Sequence, residues 1–219
     1  MKMKKDIAVL GLGIFGFRIA TELTRKGHNV LAVDKDKVIV EQIKDNVTEA
    51  IIADVTDHGT LSELGIDKFD IVIIGIGSSF EQALLTLADL KKMGCAHVIA
   101  KANRKVHEEL LLKIGADEVI LPEREVAKRL ADRISRPDMM EILTVDGEVS
   151  LISVAIPARM EGKTLLELDL RKEYQINAVM IKKNGSKTSI ITNPNMKLHE
   201  GDELIVAGQE EDIVKAFAK

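Results

Sequence analysis

The chain is 219 residues long, 46% apolar and 30% charged, with 15 Gly and 4 Pro. That is a globular balance, and it excludes a fibrous or low-complexity protein. One cysteine and five histidines without close pairing exclude a disulfide scaffold and a multi-cysteine zinc site, while a net charge of −4, with the first 136 residues neutral and the remainder acidic, offers nucleic acid no basic surface. No apolar run approaches the roughly 18 to 20 residues a membrane-spanning helix needs, and MKMKKD passes straight into IAVLGLG with no cleavage site. The expectation is a cytoplasmic protein that stays there unless a partner holds it at a membrane.

In chain order, six short apolar runs read as strands: IAVLG (7–11), NVLAVD (29–34), EAIIAD (49–54), DIVIIGIG (70–77), HVIAK (97–101) and EVIL (118–121). Each is apolar almost throughout, as expected of strands covered on both faces. Amphipathic stretches lie between them, at Phe17 to Lys26, Val38 to Lys44, Phe80 to Lys92 and Val106 to Ile114. Gly27, Gly65, Gly94 and Gly115 stand where helices end and a left-handed residue is favoured. Six strands with crossovers predict an α/β fold, a Rossmann-like doubly wound parallel sheet. The segment PEREVAKRLADRIS follows the sixth strand with no strand directly after it, so it is expected to leave the sheet or pack against a partner.

Pro137 disfavours helix at Arg136 and marks the expected hinge. The domains are therefore placed at 1–136 and 137–219. The second reads as a smaller α+β domain, with β-type runs at EILTV, VSLISVAIP, INAVMIKK and ELIVAG. A turn signal at Asn184-Gly185, one helix around TLLELDLRKEY and a last helix at EEDIVKAF complete it. So small a domain buries a limited core, which makes dimerisation a reasonable way to complete it.

The main chemical signal is Gly11-Leu12-Gly13-Ile14-Phe15-Gly16, a G-x-G-x-x-G after the first strand and at the start of the first helix. The first glycine permits a tight turn, the second lets a pyrophosphate approach the backbone, and the third lets helix pack on strand. The helix N-terminus adds N–H groups and a positive dipole end. Asp34 closes the second strand about 20 residues on, where a carboxylate accepts hydrogen bonds from both ribose hydroxyls and repels a 2′-phosphate. The bland reading is a tight strand–helix turn with Asp34 capping the next helix. Other strand ends face the same crevice: Asp54-Val55, Ile76-Gly77-Ser78 and Lys101-Ala102-Asn103. Lys101 suits a phosphate or is simply a solvated lysine. No histidine or carboxylate spacing offers the acid or base a dehydrogenase requires, and Cys95 reads as a small buried hydrophobe. A nucleotide pocket without a reaction centre suggests a sensor.

The opening IAVLGLGIFGFRIATELTRKGHNVLAVDKD, ADVTD, DIVIIGIGSS, VIAKANRKVHEELLLKIGADEVILPE, LDLRKEYQINAVMI and LHEGDELIVAG resemble the cytosolic gating subunits of Trk/Ktr potassium uptake systems. The likeness covers nearly the whole chain and is nearest to the Ktr branch, with its single pair of RCK-type (TrkA-N and TrkA-C) domains. It implies that ATP, ADP or NAD(H) binds in the crevice and reshapes a ring of subunits on a potassium-translocating membrane partner, without turnover. The ring would be an octamer built from dimers, and attachment would be peripheral. Carried over by position, the site is Gly11, Gly13, Ile14, Phe15 and Gly16, then Asp34, Lys35 and Asp36, then Asp54 and Val55 beside the adenine. Ile76, Gly77, Ser78, Lys101, Ala102, Asn103 and His107 would line the rest. Glu123 matches a carboxylate that helps hold a cation such as Mg²⁺ near the phosphates between subunits; a helix N-terminal charge favoured by the dipole explains it equally well. Ile14 stands where relatives selective for ATP often carry Arg, and Arg18, a turn later, either substitutes or faces solvent. Leu170 and Arg171 fit a cyclic di-AMP pattern of some relatives, while Gln175 replaces a glycine common there. The rival reading is a small NAD-dependent oxidoreductase.

Overall fold

A computed structural model of the chain describes residues 4–135, 139–145, 149–184 and 186–217, with the backbone alone for 140–145. The hinge expected at Arg136-Pro137 and Gly185 of the Asn184-Gly185 turn lie outside the described residues. The chain forms two units, dividing between Glu125 and Val126.

The first unit alternates strand and helix: β1 (Asp6–Leu10), α1 (Ile14–Arg25), β2 (Asn29–Asp34), α2 (Lys37–Ile43), β3 (Glu49–Ile52), α3 (His58–Glu63), β4 (Ile71–Ile74), α4 (Phe80–Lys92), β5 (Val98–Lys101), α5 (Lys105–Ile114) and β6 (Glu118–Ile120). The strands pair in the order β3-β2-β1-β4-β5-β6, all parallel. The order reverses at β1, which opens a crevice beyond the carboxyl ends of β1 and β4. Successive side chains of one strand point to opposite faces, and the burial follows. Ala8, Leu10, Leu31, Val33, Val72 and Ile74 pack with Leu61, Leu87, Leu90 and Leu111 from α3, α4 and α5. Ile7, Val9, Val30, Ala32 and Ile73 pack with Ala20, Val40 and Ile43 from α1 and α2. Two cores on two faces explain why the interior positions of the central strands are apolar.

Local chemistry sets the helix ends. Asp36, Asp57 and Ser79 cap α2, α3 and α4 by accepting from the amides of Val38, Thr60 and Gln82. Gly115 closes α5 at φ 116°, a left-handed conformation that costs a residue with a Cβ about 1 kcal/mol or more. Strand starts are tied by side chains: Asp117 accepts from the Val98 amide at 2.7 Å and from Lys91 at 3.1 Å. These contacts hold the Asp117 carboxyl below the usual range, the backbone amide contributing most.

The helix α6 (Pro122–Ser135) follows β6 and buries none of its residues. Val126, Leu130 and Ile134 repeat every fourth position and stay exposed, as expected of a helix that leaves the sheet. The second unit carries β7 (Met139–Val145), β8 (Val149–Ala155), α7 (Leu165–Leu168), α8 (Leu170–Tyr174), β9 (Asn177–Lys182), β10 (Ser189–Ile190), β11 (Glu203–Gln209) and α9 (Glu210–Phe217). Its antiparallel sheet runs β10-β9-β11-β8-β7. A core of Ile152, Val154, Leu170, Ile181, Leu204, Val206, Ile213 and Phe217 lies between sheet and helices. Asp202, 4% exposed, is satisfied by the amides of Asn184 and His199.

The single helix expected over TLLELDLRKEY is two short ones. Thr164 and Glu167 form a reciprocal capping box that completes one turn. Asp169 then turns left-handed at φ 42°, ending α7 and starting α8. Amphipathic spacing persists through such a break, so periodicity alone does not reveal it. Gln175 ends α8 at φ 58°, holding a side chain in a conformation that glycine adopts freely. Its side chain is exposed. Gln175→Gly is therefore expected to stabilise the second unit by about 1 kcal/mol, read as a higher urea midpoint in the signal of the second unit's unfolding.

Candidate nucleotide crevice

The crevice is built around one carbonyl oxygen. Gly11 follows β1 at φ 93° and its amide donates to the Val33 carbonyl at 2.8 Å. A Cβ on Gly16 would lie 1.9 Å from the Gly11 oxygen, and one on Gly75 would lie 2.4 Å from the same atom. Neither distance is open to any side chain, so α1 and the end of β4 approach β1 only because both positions lack one. A Cβ on Gly13 would meet nothing within 4 Å. Gly13 thus faces open space, at the position where backbone has to be left clear for a phosphate.

The N-terminus of α1 has no side-chain cap and no acidic residue in its first turn. Its N–H groups and positive dipole end remain available to an anion. Ile14 is 91% exposed at this mouth, whereas Phe15 is half-buried against the core behind it. Arg18 is exposed.

Asp34 lies beside this loop. One carboxylate oxygen accepts the Leu12 amide at 2.6 Å and the other accepts the Asp36 amide at 2.9 Å. Each oxygen keeps a further acceptor site for a ribose hydroxyl. Lys35 and Asp36 are exposed, and Asp36 is committed to the α2 cap. Asp54 accepts the amide and hydroxyl of Thr56 at 2.9 and 2.7 Å, which hold its carboxyl below the usual range. Val55 turns its side chain into the core at 6% exposure, and its carbonyl accepts from the buried Thr86 hydroxyl. Any contact of Val55 with an adenine would therefore be through main chain or the edge of that side chain.

At the next strand ends Gly77 and Ser78 are exposed, Ile76 is half-buried, and Ala102 is buried with its amide on the Ile120 carbonyl. Asn103 donates from Nδ2 to the Gly77 carbonyl at 2.9 Å, tying the end of β5 to that of β4. His107 lies on α5 and stacks on Phe80 of α4, centroids 3.9 Å apart. Its ring is held by that packing at the helix faces. Lys101 and Glu123 form an ion pair at 2.8 Å, and the lysine holds the Glu123 carboxyl below the usual range. That pair links residues 22 apart in sequence, and no spacing rule foretells it.

A nucleotide fits this cradle: a clear backbone at Gly13, an uncapped helix end and an acceptor pair at Asp34. A divalent cation does not fit one chain alone. Among the described residues no group of three or more His, Cys, Asp or Glu converges as a metal site, and Glu123 is occupied by Lys101. In the second unit Leu170 is part of the core, and Arg171 donates from Nε to Asn177 at 2.7 Å. Cys95 is buried and burial raises its thiol pKa, which suits a hydrophobe rather than a nucleophile.

The TrkA-N domain family matches residues 7–122 and the TrkA-C domain family residues 149–219. Ktr system potassium uptake protein C of Bacillus subtilis (strain 168) is 39% identical over 211 residues, covering 96% of this chain and 95% of that protein. The structure of the GsuK channel superposes on the whole chain with a TM-score of 0.69 at 18% identity, and the chain spans 40% of it. The NAD(P)-binding domain of an exopolyphosphatase-related protein from Archaeoglobus fulgidus is 30% identical with a TM-score of 0.54, covering 61% of this chain and 99% of that domain.

Gly16→Ala is expected to destabilise the first unit by about 3 kcal/mol or more, because backbone rather than a flexible side chain has to move. Gly13→Ala, placed in open space, is expected to leave the urea midpoint within about 1 kcal/mol of wild type. Equal midpoints for the two variants would contradict the packing described.

Proposed function

The chain belongs to the family of Ktr/Trk potassium uptake proteins built from a TrkA-N and a TrkA-C domain, and from that premise we propose that it is a nucleotide-responsive subunit that gates a potassium-translocating membrane partner. The observation that carries the nucleotide part is the uncapped end of α1 beside Asp34, with Gly13 open between them. The α1 amides take phosphate, Asp34 takes the ribose hydroxyls, and its negative charge disfavours a 2′-phosphate. ATP, ADP and NAD(H) all meet that description. Ile14 supplies no guanidinium for a third phosphate, so ADP and NAD(H) stand level with ATP.

No turnover is proposed. Two carboxylates at the crevice are held below the usual range, Asp54 by Thr56 and Glu123 by Lys101. An acid or base for hydride transfer would need to exchange a proton near neutral pH, and groups with lowered pKa values resist that. Potassium conduction belongs to the partner, since among the described residues no helix is long and apolar enough to cross a membrane. The protein would work as a ring of eight subunits assembled from dimers, attached peripherally at the cytoplasmic face. Nucleotide then selects between ring shapes in proportion to its difference in affinity for them. Cyclic di-AMP is a second candidate ligand, held at a dimer interface of the TrkA-C domain near Arg171.

Asp34→Ala removes two charge-assisted contacts and should weaken ATP, ADP and NADH binding about 100-fold or more, with the assembly intact. Calorimetry beside light scattering checks both halves. Dissociation of the ring by this change would count against the division of roles between crevice and assembly.

A further inference from the structure

Helix α4 turns Ala83, Leu87 and Leu90 into the core, and Thr86 beside them is 1% exposed. A buried hydroxyl needs a partner, and the bland choice on a helix is the carbonyl four residues back. Thr21 and Thr24 of α1 make that choice, donating to the carbonyls of Phe17 and Ala20. Thr86 does not. Its Oγ1 donates at 3.2 Å to the Val55 carbonyl, 31 residues away in the loop after β3, and so fastens that loop to α4.

The same loop is where the base of a nucleotide held at α1 and Asp34 has to lie. In the strand order β3-β2-β1 the phosphate position is beyond β1 and Asp34 ends β2, so a base carried on the far side of the ribose extends over β3. The Ala53 amide, on the Asp34 carbonyl at 3.0 Å, joins the loop to the ribose position. Most of the loop's polar groups are spent. The Asp54 carbonyl accepts the Asp57 amide, the Val55 carbonyl accepts Thr86, and Asp54 Oδ1 accepts the amide and hydroxyl of Thr56. The Val55 amide and Asp54 Oδ2 are left without a partner among the described residues. Across a trans peptide the Val55 N–H points opposite to the Asp54 carbonyl, hence out of the turn that Asp57 closes.

We propose that Thr86 is a positioning residue for base recognition, fixing the loop so that the Val55 amide and Asp54 Oδ2 meet the edge of an adenine and reject a guanine. The proposal rests on the nucleotide reading above. Adenine offers an N1 acceptor and an N6 donor along that edge, which match an amide donor and a carboxylate acceptor. Guanine offers an N1–H donor and an O6 acceptor, the reverse pattern, and sets donor against donor and oxygen against oxygen. Such discrimination requires the reading groups to be held to within about 0.5 Å by the contacts behind them. The buried Val55 side chain holds the loop down, and the bond from Thr86 sets the orientation of its main chain.

Calorimetry on wild type, Thr86→Val and Thr86→Ser tests this, with ADP against GDP, ATP against GTP and NAD⁺ against nicotinamide guanine dinucleotide. Wild type is expected to favour the adenine member of each pair it binds by about 100-fold or more, as two reversed hydrogen bonds require. Thr86→Val removes the donor and should cut that preference about tenfold, while Thr86→Ser keeps the hydroxyl and should retain most of it. A loss shared equally by adenine and guanine members would make Thr86 merely structural and overturn the proposal, as would an unchanged preference. Equal binding of both bases by wild type also overturns it and leaves the nucleotide reading standing. Hydrogen exchange at the Val55 amide of wild type needs no variant: a bound adenine nucleotide should slow it, and an amide that exchanges as before contradicts the contact. No binding of any nucleotide by wild type removes the nucleotide reading and this inference with it.

Discussion

Everything at the crevice depends on how closely three backbone segments approach the carbonyl oxygen of Gly11. Helix α1 and the end of β4 press against that atom at Gly16 and Gly75, at distances that admit no Cβ. The approach fixes the start of α1 directly beyond β1 and leaves its first amides without a cap. It also brings the Leu12 amide within 2.6 Å of Asp34, so Asp34 and the glycine-rich loop are set by one packing constraint. The rest of the sheet serves to hold those segments in place, through two apolar cores that cover both faces of the central strands.

The charges around this cradle describe a binder. Amides fix Asp34, the hydroxyl and amide of Thr56 fix Asp54, and Lys101 and Glu123 neutralise each other. Preorganised acceptors of this kind recognise a ligand at little cost in reorganisation. A ligand bound there acts only through a difference in affinity between conformations.

Much of this was legible in the sequence, for physical reasons. Parallel strands covered on both faces must be apolar along most of their length, so 7–11, 29–34 and 70–77 stood out, although the last is strand only over Ile71–Ile74. The glycines at 11, 13 and 16 and the carboxylate at 34 have a spacing that only the strand–turn–helix geometry requires. What stayed hidden depends on tertiary contacts or on single dihedral angles. The break at Asp169 keeps the helical period on either side, the inward turn of Val55 is decided by Thr86 and the core, and the pairing of Lys101 with Glu123 joins the end of β5 to the start of α6. The stacking of His107 on Phe80 likewise needs α4 and α5 side by side. No one-dimensional pattern carries those facts.

The central claim is that nucleotide identity sets the shape of an assembly, and small-angle X-ray scattering of the assembled protein tests it most directly. Curves recorded at saturating ATP, ADP and NADH should differ between at least two nucleotides that both bind, and the difference should disappear in Asp34→Ala. Identical curves for every bound nucleotide would mean that the ligand holds the assembly together without switching it, and would contradict the account.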